Sequence, residues 1–392
     1  MGVLPDQDYG LSAENVSNGE LAESGAWNVQ QIDEIELEAV DEWDQLQTAH
    51  FNQGQVWVES SVMQQGDTAL RQIGQLTEQT VEEVSSLRLP QDSYYAYSPD
   101  GTKLLYEQRE GEDLALYLYH TDTEETQLIF TGHNFSAVAD EQGWSVHFLC
   151  EWADNGESFV FWPLCLGIQD IEARGIFGEL AYEFLYIYRY EADEVQAIDI
   201  PYEILDMYVY EASNLPMLAI DETGDNLFIY ANLEQELGLS VYIRWDSMES
   251  ETLWLRDYLE DTQSYFGGVG SEPMFSGGLL YLHLEALGIL VLDLEQGSSL
   301  AFYPFNDPIQ AFTVYDNVLV VAQPVTPMGI DVTAYVLNTG SQTSILFYHS
   351  SSYESVITHM EMDQDSGSRL LIEEVNNSGD LYKKLVLLSF TS

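Results

Sequence analysis

The stretch YYAYSPDGTKLLYEQ, residues 94–108, constrains the fold of this chain more than any other. Tyr95 and Tyr97 alternate with Ala96, and Leu104, Leu105 and Tyr106 resume after a break, so two strands flank a tight turn. Ser98-Pro99-Asp100-Gly101 fits a type I turn. Pro99 presets its φ, Asp100 tolerates the bridge region, and Gly101 takes the left-handed position that closes a bulged hairpin. Two further strand-like runs follow, LALYLYHT (114–121) and TQLIFTG (126–132), each bounded by acidic or Gly turns. The segment therefore reads as a four-stranded antiparallel meander.

The cadence recurs. HFLCEWADNGESFVFW (147–162) sets Ala153-Asp154-Asn155-Gly156 in the turn, and LAIDETGDNLFIY (218–230) sets Asp221-Glu222-Thr223-Gly224 there. MEMDQDSGSRLLIEE (360–374) does so with one extra residue and Gly367. Weaker copies stand at 49–60, 274–284 and 312–323. A repeat of about 40 to 60 residues, each a short meander, is the signature of a β-propeller. An isolated meander cannot bury both faces, so successive sheets stack on one another. A tandem array of sandwiches fits less well, because the turn recurs at the same place in each unit. The expected fold is all-β, a single β-propeller of seven four-stranded blades over 28–392, with blades at about 43–90, 91–139, 140–204, 205–262, 263–308, 309–352 and 353–392. The last unit stops one strand short, and the N-terminal strand at 28–38 is expected to close it, removing an exposed edge. Residues 1–27, acidic and without periodicity, read as a disordered tether.

YSPDGTKLLY is similar to the repeat of TolB-like propellers, within the broader WD-type superfamily. The similarity is closest in the second unit and extends to the third, fourth and seventh. The Asp of the motif stands as Asp100 and Asp365, with Asn155 and Thr223 at the corresponding places. The resemblance implies an exported bacterial propeller, extracellular or tethered to the cell surface in the manner of a lipoprotein. Such propellers act as interaction platforms or as gates before a hydrolase domain. MGVLPDQDYG lacks the basic start and apolar run of a signal peptide, so a cytoplasmic location is the alternative.

Charge narrows the partners. Sixty-seven Asp and Glu against 11 Lys and Arg give a formal net charge of −56. Such a surface repels nucleic acid and anionic lipid. It suits cationic or sugar-like partners, divalent cations or a high-salt medium. No apolar run reaches the roughly 18 residues of a membrane span, so no transmembrane segment is expected.

Signatures of chemistry are sparse. G-x-S-x-G, H-E-x-x-H and the phosphate-binding G-x-x-x-x-G-K-[ST] are absent. His50, His147 and His359 fall on expected inner strands, where ligands from different blades can converge, but no histidines sit at close metal-ligand spacing. DQDSGS (363–368) begins like a calcium loop, which makes Asp363 and Asp365 weak calcium candidates, but the distal Glu is missing. No other cofactor is expected. A turn at 153–158 sets Trp152 opposite Phe159 and Cys150 opposite Phe161. Cys165 then lies about 13 Å further along, beyond disulfide reach, so two free buried thiols are expected.

Insertions between second and third strands, at 163–180, 231–239 and 323–330, project opposite the Ser-Pro-Asp-Gly turns. Long connections carry function more often than tight turns do. The candidate partner-binding residues are Trp162, Ile168, Ile171, Glu172, Arg174, Phe177, Glu234 and Glu236. The leading reading is a non-catalytic, monomeric binding or scaffold propeller that takes a protein, peptide or glycan on the face carrying 163–180 and 231–239. The alternative is a hydrolase or lyase with a central-channel site of inner-strand His and carboxylates.

Overall fold

The computed structural model describes residues 28–37, 46–52, 54–63, 68–77, 80–90, 93–137, 145–153, 155–166, 184–199, 217–221, 224–233, 236–244, 249–254, 273–284, 288–294, 298–305, 308–316, 318–324, 329–336, 344–350, 355–363, 366–376 and 382–391. They fall in two compact units, 1–89 with 269–392, and 90–268. Among the described residues each sheet is four-stranded, and hydrogen-bonded neighbours follow chain order in all of them but one.

The first unit begins with β1 (Asn28–Leu37), followed by the sheet β2 (Leu46–Asn52), β3 (Gln55–Met63), β4 (Thr68–Thr77) and β5 (Thr80–Pro90). The second unit holds three sheets. The first is β6 (Tyr95–Tyr97), β7 (Lys103–Glu110), β8 (Asp113–His120) and β9 (Thr126–Gly132). The next is β10 (Ser145–Trp152), β11 (Ser158–Leu166), β12 (Phe184–Arg189) and β13 (Glu194–Asp199). The third is β14 (Met217–Ile220), β15 (Asn226–Leu233), β16 (Glu236–Arg244) and β17 (Glu249–Trp254). The first unit then resumes with β18 (Met274–Ser276), β19 (Leu279–Leu284), β20 (Gly288–Asp293) and β21 (Ser298–Pro304), and with β22 (Ala311–Tyr315), β23 (Val318–Pro324), β24 (Ile330–Val336) and β25 (Ser344–Ser350). Last come β26 (Ser355–Met362), β27 (Arg369–Asn376) and β28 (Tyr382–Thr391).

The sequence reading counts seven four-stranded blades, and the pairings correct that count to six blades complete in sequence, with the N-terminal strand closing the last sheet as expected. Six sheets are four-stranded meanders continuous in sequence. The last repeat, 353–392, is not a complete blade, because it supplies only β26–β28. Its sheet runs β1-β28-β27-β26, so the fourth strand comes from the other end of the chain. The physical reason is the open edge of β28. Its N–H and C=O groups need partners, and β1 supplies them in antiparallel register from Asn28↔Thr391 to Leu37↔Lys383, with a bulge between Gln31 and Asp33.

The turns follow from local chemistry. Gly101, Gly156, Gly224 and Gly367 all have positive φ, between 56° and 75°. The amide of each donates back across its turn, to the carbonyls of Ser98, Ala153, Asp221 and Asp363 respectively. A side chain at Gly224 would also meet Ser158 Oγ at 2.2 Å.

Aromatic rings fill the core of the second unit. Phe161 stacks on Tyr186 at 5.1 Å, and Phe130 of the β6–β9 sheet lies 4.6 Å from the same tyrosine. Bulky side chains on both packed faces give sheet stacking its driving force. The register Trp152↔Phe159 and Cys150↔Phe161 agrees with the sequence reading, with Cys165 further along opposite Val146. Cys150 is a free, buried thiol, and burial pushes its pKa well up. The side chain of Cys165 and residues 1–27 lie outside the described residues.

Two of the three anticipated insertions shrink. Residues 231–239 are mostly strand, since β15 runs to Leu233 and β16 starts at Glu236, and these two residues pair. Likewise Pro324 pairs with Ile330. In the third, β11 extends to Leu166, and 167–183 lies outside the described residues.

Candidate functional site

One position in the sheets collects the chemistry. Each first hairpin contains an equivalent pair, such as Tyr97↔Leu104, Trp152↔Phe159, Phe51↔Val56, Phe275↔Leu280 and Met362↔Leu370. Three residues further along the second strand stand Glu107, Trp162, Glu59, His283 and Glu373. Glu107, His283 and Glu373 lie against the first strand of the next sheet, where main-chain N–H groups need partners.

Glu107 shows what the position does. It is almost fully buried, and Oε1 accepts the Tyr94 amide at 2.9 Å from its own sheet. Oε2 accepts the Phe148 amide at 2.9 Å from the neighbouring sheet. His147 Nδ1 lies 2.6 Å from Oε1. One carboxylate thus joins β7 to β10.

Glu373 repeats the arrangement in the first unit. Buried on β27, it accepts the Ala49 amide from β2, and Lys383 Nζ lies 3.6 Å away. Beside it on β26, Glu361 accepts the Phe51 amide at 3.0 Å, with His359 Nε2 at 3.7 Å. Between the β22 and β26 edges the same role passes to neutral groups, Gln310 accepting the Ile357 amide and Thr313 Oγ1 the Met362 amide.

The next residue, Glu374, points to the opposite face and accepts Tyr348 Oη and Ser350 Oγ, both at 2.7 Å. Burial acts to raise its pKa. The bonds from Ser350, Ser355 and Tyr348, with the charge of Lys384, outweigh that and hold it below the ordinary carboxylate value. Glu59 differs. Burial and then the negative charge of Glu373 push its pKa up to about 8, so it keeps its proton at neutral pH. His283, buried near Phe312, is pushed down to about 4 by burial and stays neutral.

The turn carboxylates are engaged in the turns themselves. Asp100 Oδ1 accepts Ser98 Oγ and both the amide and hydroxyl of Thr102. Asp221 does the same for the amides of Asp225 and Asn226, although it opens its turn where Asp100 stands third. Asp363, also at the opening position, accepts Ser366 Oγ and the Arg369 guanidinium. A calcium ion at Asp363 would compete with that guanidinium. Asp365 lies outside the described residues, among which no group of three His, Cys, Asp or Glu side chains is arranged to hold a metal.

Of the sequence-predicted binding residues, Trp162 is fully buried, occupying in β11 the position that Glu107 holds in β7. Glu236 lies at the start of β16, with its side chain outside the described residues. Ile168, Ile171, Glu172, Arg174, Phe177 and Glu234 also lie outside them. His50, His147 and His359 fall on β2, β10 and β26, each the first strand of its hairpin. Glu107 and Glu373 escape the sequence reading, yet a signal exists. The runs LLYE (104–107) and LLIE (370–373) place a charge at the same step of an otherwise apolar strand.

Fold and site define an all-β chain of the β-propeller class. No family model matches it, and no curated protein is significantly similar. Among solved structures it is similar to the β-propeller domain of the Trilobed protease from Pyrococcus furiosus, described as having an open velcro topology. The identity is 11%, with 89% of this chain and 94% of that one covered and a TM-score of 0.50. A chain of a mitotic checkpoint complex is 10% identical, with 99% and 98% covered and a TM-score of 0.50. A prolyl endopeptidase is 10% identical at a TM-score of 0.50, with 88% of this chain and 50% of the endopeptidase covered. At such identities the likeness is one of fold.

Proposed function

We propose that this chain is a non-catalytic binding or scaffold propeller of the TolB-like, WD-type kind, engaging a protein, peptide or glycan. The observation that carries the reading is the commitment of Glu107, Glu361 and Glu373 to main-chain N–H groups of neighbouring sheets. Carboxylates held this way stitch sheets together and are poorly placed to move protons or bind metal. The partner face is the end of the β10–β13 and β14–β17 sheets where β11 runs out at Leu166 and β15 turns into β16. Glu236 and the connecting residues Ile168, Ile171, Glu172, Arg174, Phe177 and Glu234 supply the contacts. A cationic partner suits the net charge of −56. Export and surface tethering through residues 1–27 rest on the family resemblance. No helix among the described residues is long and apolar enough to cross a membrane.

The experiment measures binding of an arginine-rich peptide, a neutral peptide and a glycan array to the wild type and to an Ile171→Ser, Arg174→Ala, Phe177→Ser variant. Saturable binding to one probe class that the variant weakens without lowering its thermal midpoint is expected. For a cationic partner it should also weaken with salt.

A second reading rests on Glu59. A carboxyl raised to about 8 beside another carboxylate is the kind of general acid a hydrolase or lyase uses. Turnover of ester, peptide or glycoside substrates that Glu59→Gln abolishes, with no binding to any probe, would replace the first reading with this one.

A further inference from the structure

Three described histidines place Nδ1 within 3.1 Å of a carboxylate, and their settings differ. His133, just past β9, approaches Asp113 of β8 at 3.1 Å, and His349 of β25 approaches Asp331 of β24 at 2.6 Å, each pair partly or largely exposed. His147 approaches Glu107 at 2.6 Å, with the histidine side chain 31% exposed and the glutamate only 4%. This contact crosses from β10 to β7. The same carboxylate also holds one amide from each sheet, Tyr94 and Phe148. The proton state of His147 therefore acts directly on the bond that joins two sheets, while solvent can still deliver the proton.

We propose that His147 and Glu107 form a proton-operated staple, in which protonation of His147 tightens the seam between the β6–β9 and β10–β13 sheets. A neutral imidazole gives Glu107 an ordinary hydrogen bond, and an imidazolium gives it a charge-assisted one, roughly twice as strong. Imidazole changes charge across the physiological range, so the seam tightens as the medium turns mildly acidic. Other polar and titratable groups lie on the strands around the pair. On β10 the neighbours are the Cys150 thiol and the exposed Glu151. On β7 and just before β6 they are Arg109 and Tyr94, whose hydroxyl donates to Cys150 O. Across β11, His147 is paired with Leu164. The described part of β14 is apolar up to Ile220, followed by Asp221, whose carboxylate is taken up in its own turn.

The test is amide hydrogen exchange at Phe148 in the full chain at pH 5.5 and pH 8, normalised to intrinsic exchange rates. Protection at pH 5.5 is expected to exceed that at pH 8 by about fivefold or more, the scale of one charge-assisted bond replacing a neutral one. His147→Gln, which can still donate but cannot ionise, should remove the difference, and His349→Gln should leave it intact. Equal protection of Phe148 at the two pH values in the wild type overturns the proposal, and needs no variant to fold. Persistence of the difference in His147→Gln overturns it as well.

Discussion

Arg369 and Asp363 form a fork across the turn that leads into β27, with Nε donating to Oδ2 at 2.9 Å and Nη2 joining the same oxygen. The guanidinium also donates to Gly54 O in the β2–β3 hairpin and lies 5.2 Å over the Phe51 ring. One side chain thus neutralises a carboxylate that is 1% exposed and ties the composite sheet to its neighbour within the first unit.

Arg369→Ala should therefore destabilise the chain by about 3 kcal/mol, because it strands Asp363 as a buried charge. Adding Asp363→Asn should recover part of the loss. Urea unfolding of the three proteins checks this, and a double variant less stable than Arg369→Ala would count against it.

Glu59 and Glu374 predict opposite pH dependences. The raised pKa of Glu59 means its contribution is fully present below about pH 4.5 and lost as pH climbs toward 8. Glu59→Gln should thus match the wild type at pH 4 and exceed it at pH 9. Glu374 has a lowered pKa, so its contribution is present above the unfolded value and lost as pH falls through the folded one. Glu374→Gln should flatten the acid limb of urea midpoints measured from pH 7 to pH 3.

Two glycines separate strain from crowding. Gly111 has φ +67°, and a Cβ there would meet no heavy atom within 4 Å, so Gly111→Ala should cost only the backbone strain, about 1 kcal/mol. Gly367 has φ +56°, and a Cβ there would meet the Tyr315 ring at 2.3 Å. Gly367→Ala should lower the thermal midpoint by clearly more than Gly111→Ala does.

Cys150 should be inert to a thiol reagent until the protein unfolds, since it is buried and its thiolate is disfavoured by burial and by Glu107. Reaction of native Cys165→Ser protein at the rate of a free thiol would contradict the packing around Phe161.

What can be read in the sequence is local. Gly101, Gly156, Gly224 and Gly367 announce their turns because only a few residues tolerate that backbone, and strand register follows from the turn. The seam groups are different in kind. Glu373 meets Ala49 across 324 positions and Glu107 meets Phe148 across 41, and no local pattern says which carboxylate will reach a distant amide. Trp162 reads as a candidate partner-binding residue, yet it is fully buried in β11, at the step that Glu107 holds in β7. The 231–239 stretch reads as a loop because its polar residues hide a hairpin with a bulge.

The pairing of β1 with β28 has a topological consequence. Asn28 lies opposite Thr391, so the first and last described strands begin and end side by side. A permuted gene that links those two ends through a short spacer and opens the chain between β5 and β6 would conserve every strand pairing. For this architecture, where translation starts is a matter of genetic bookkeeping.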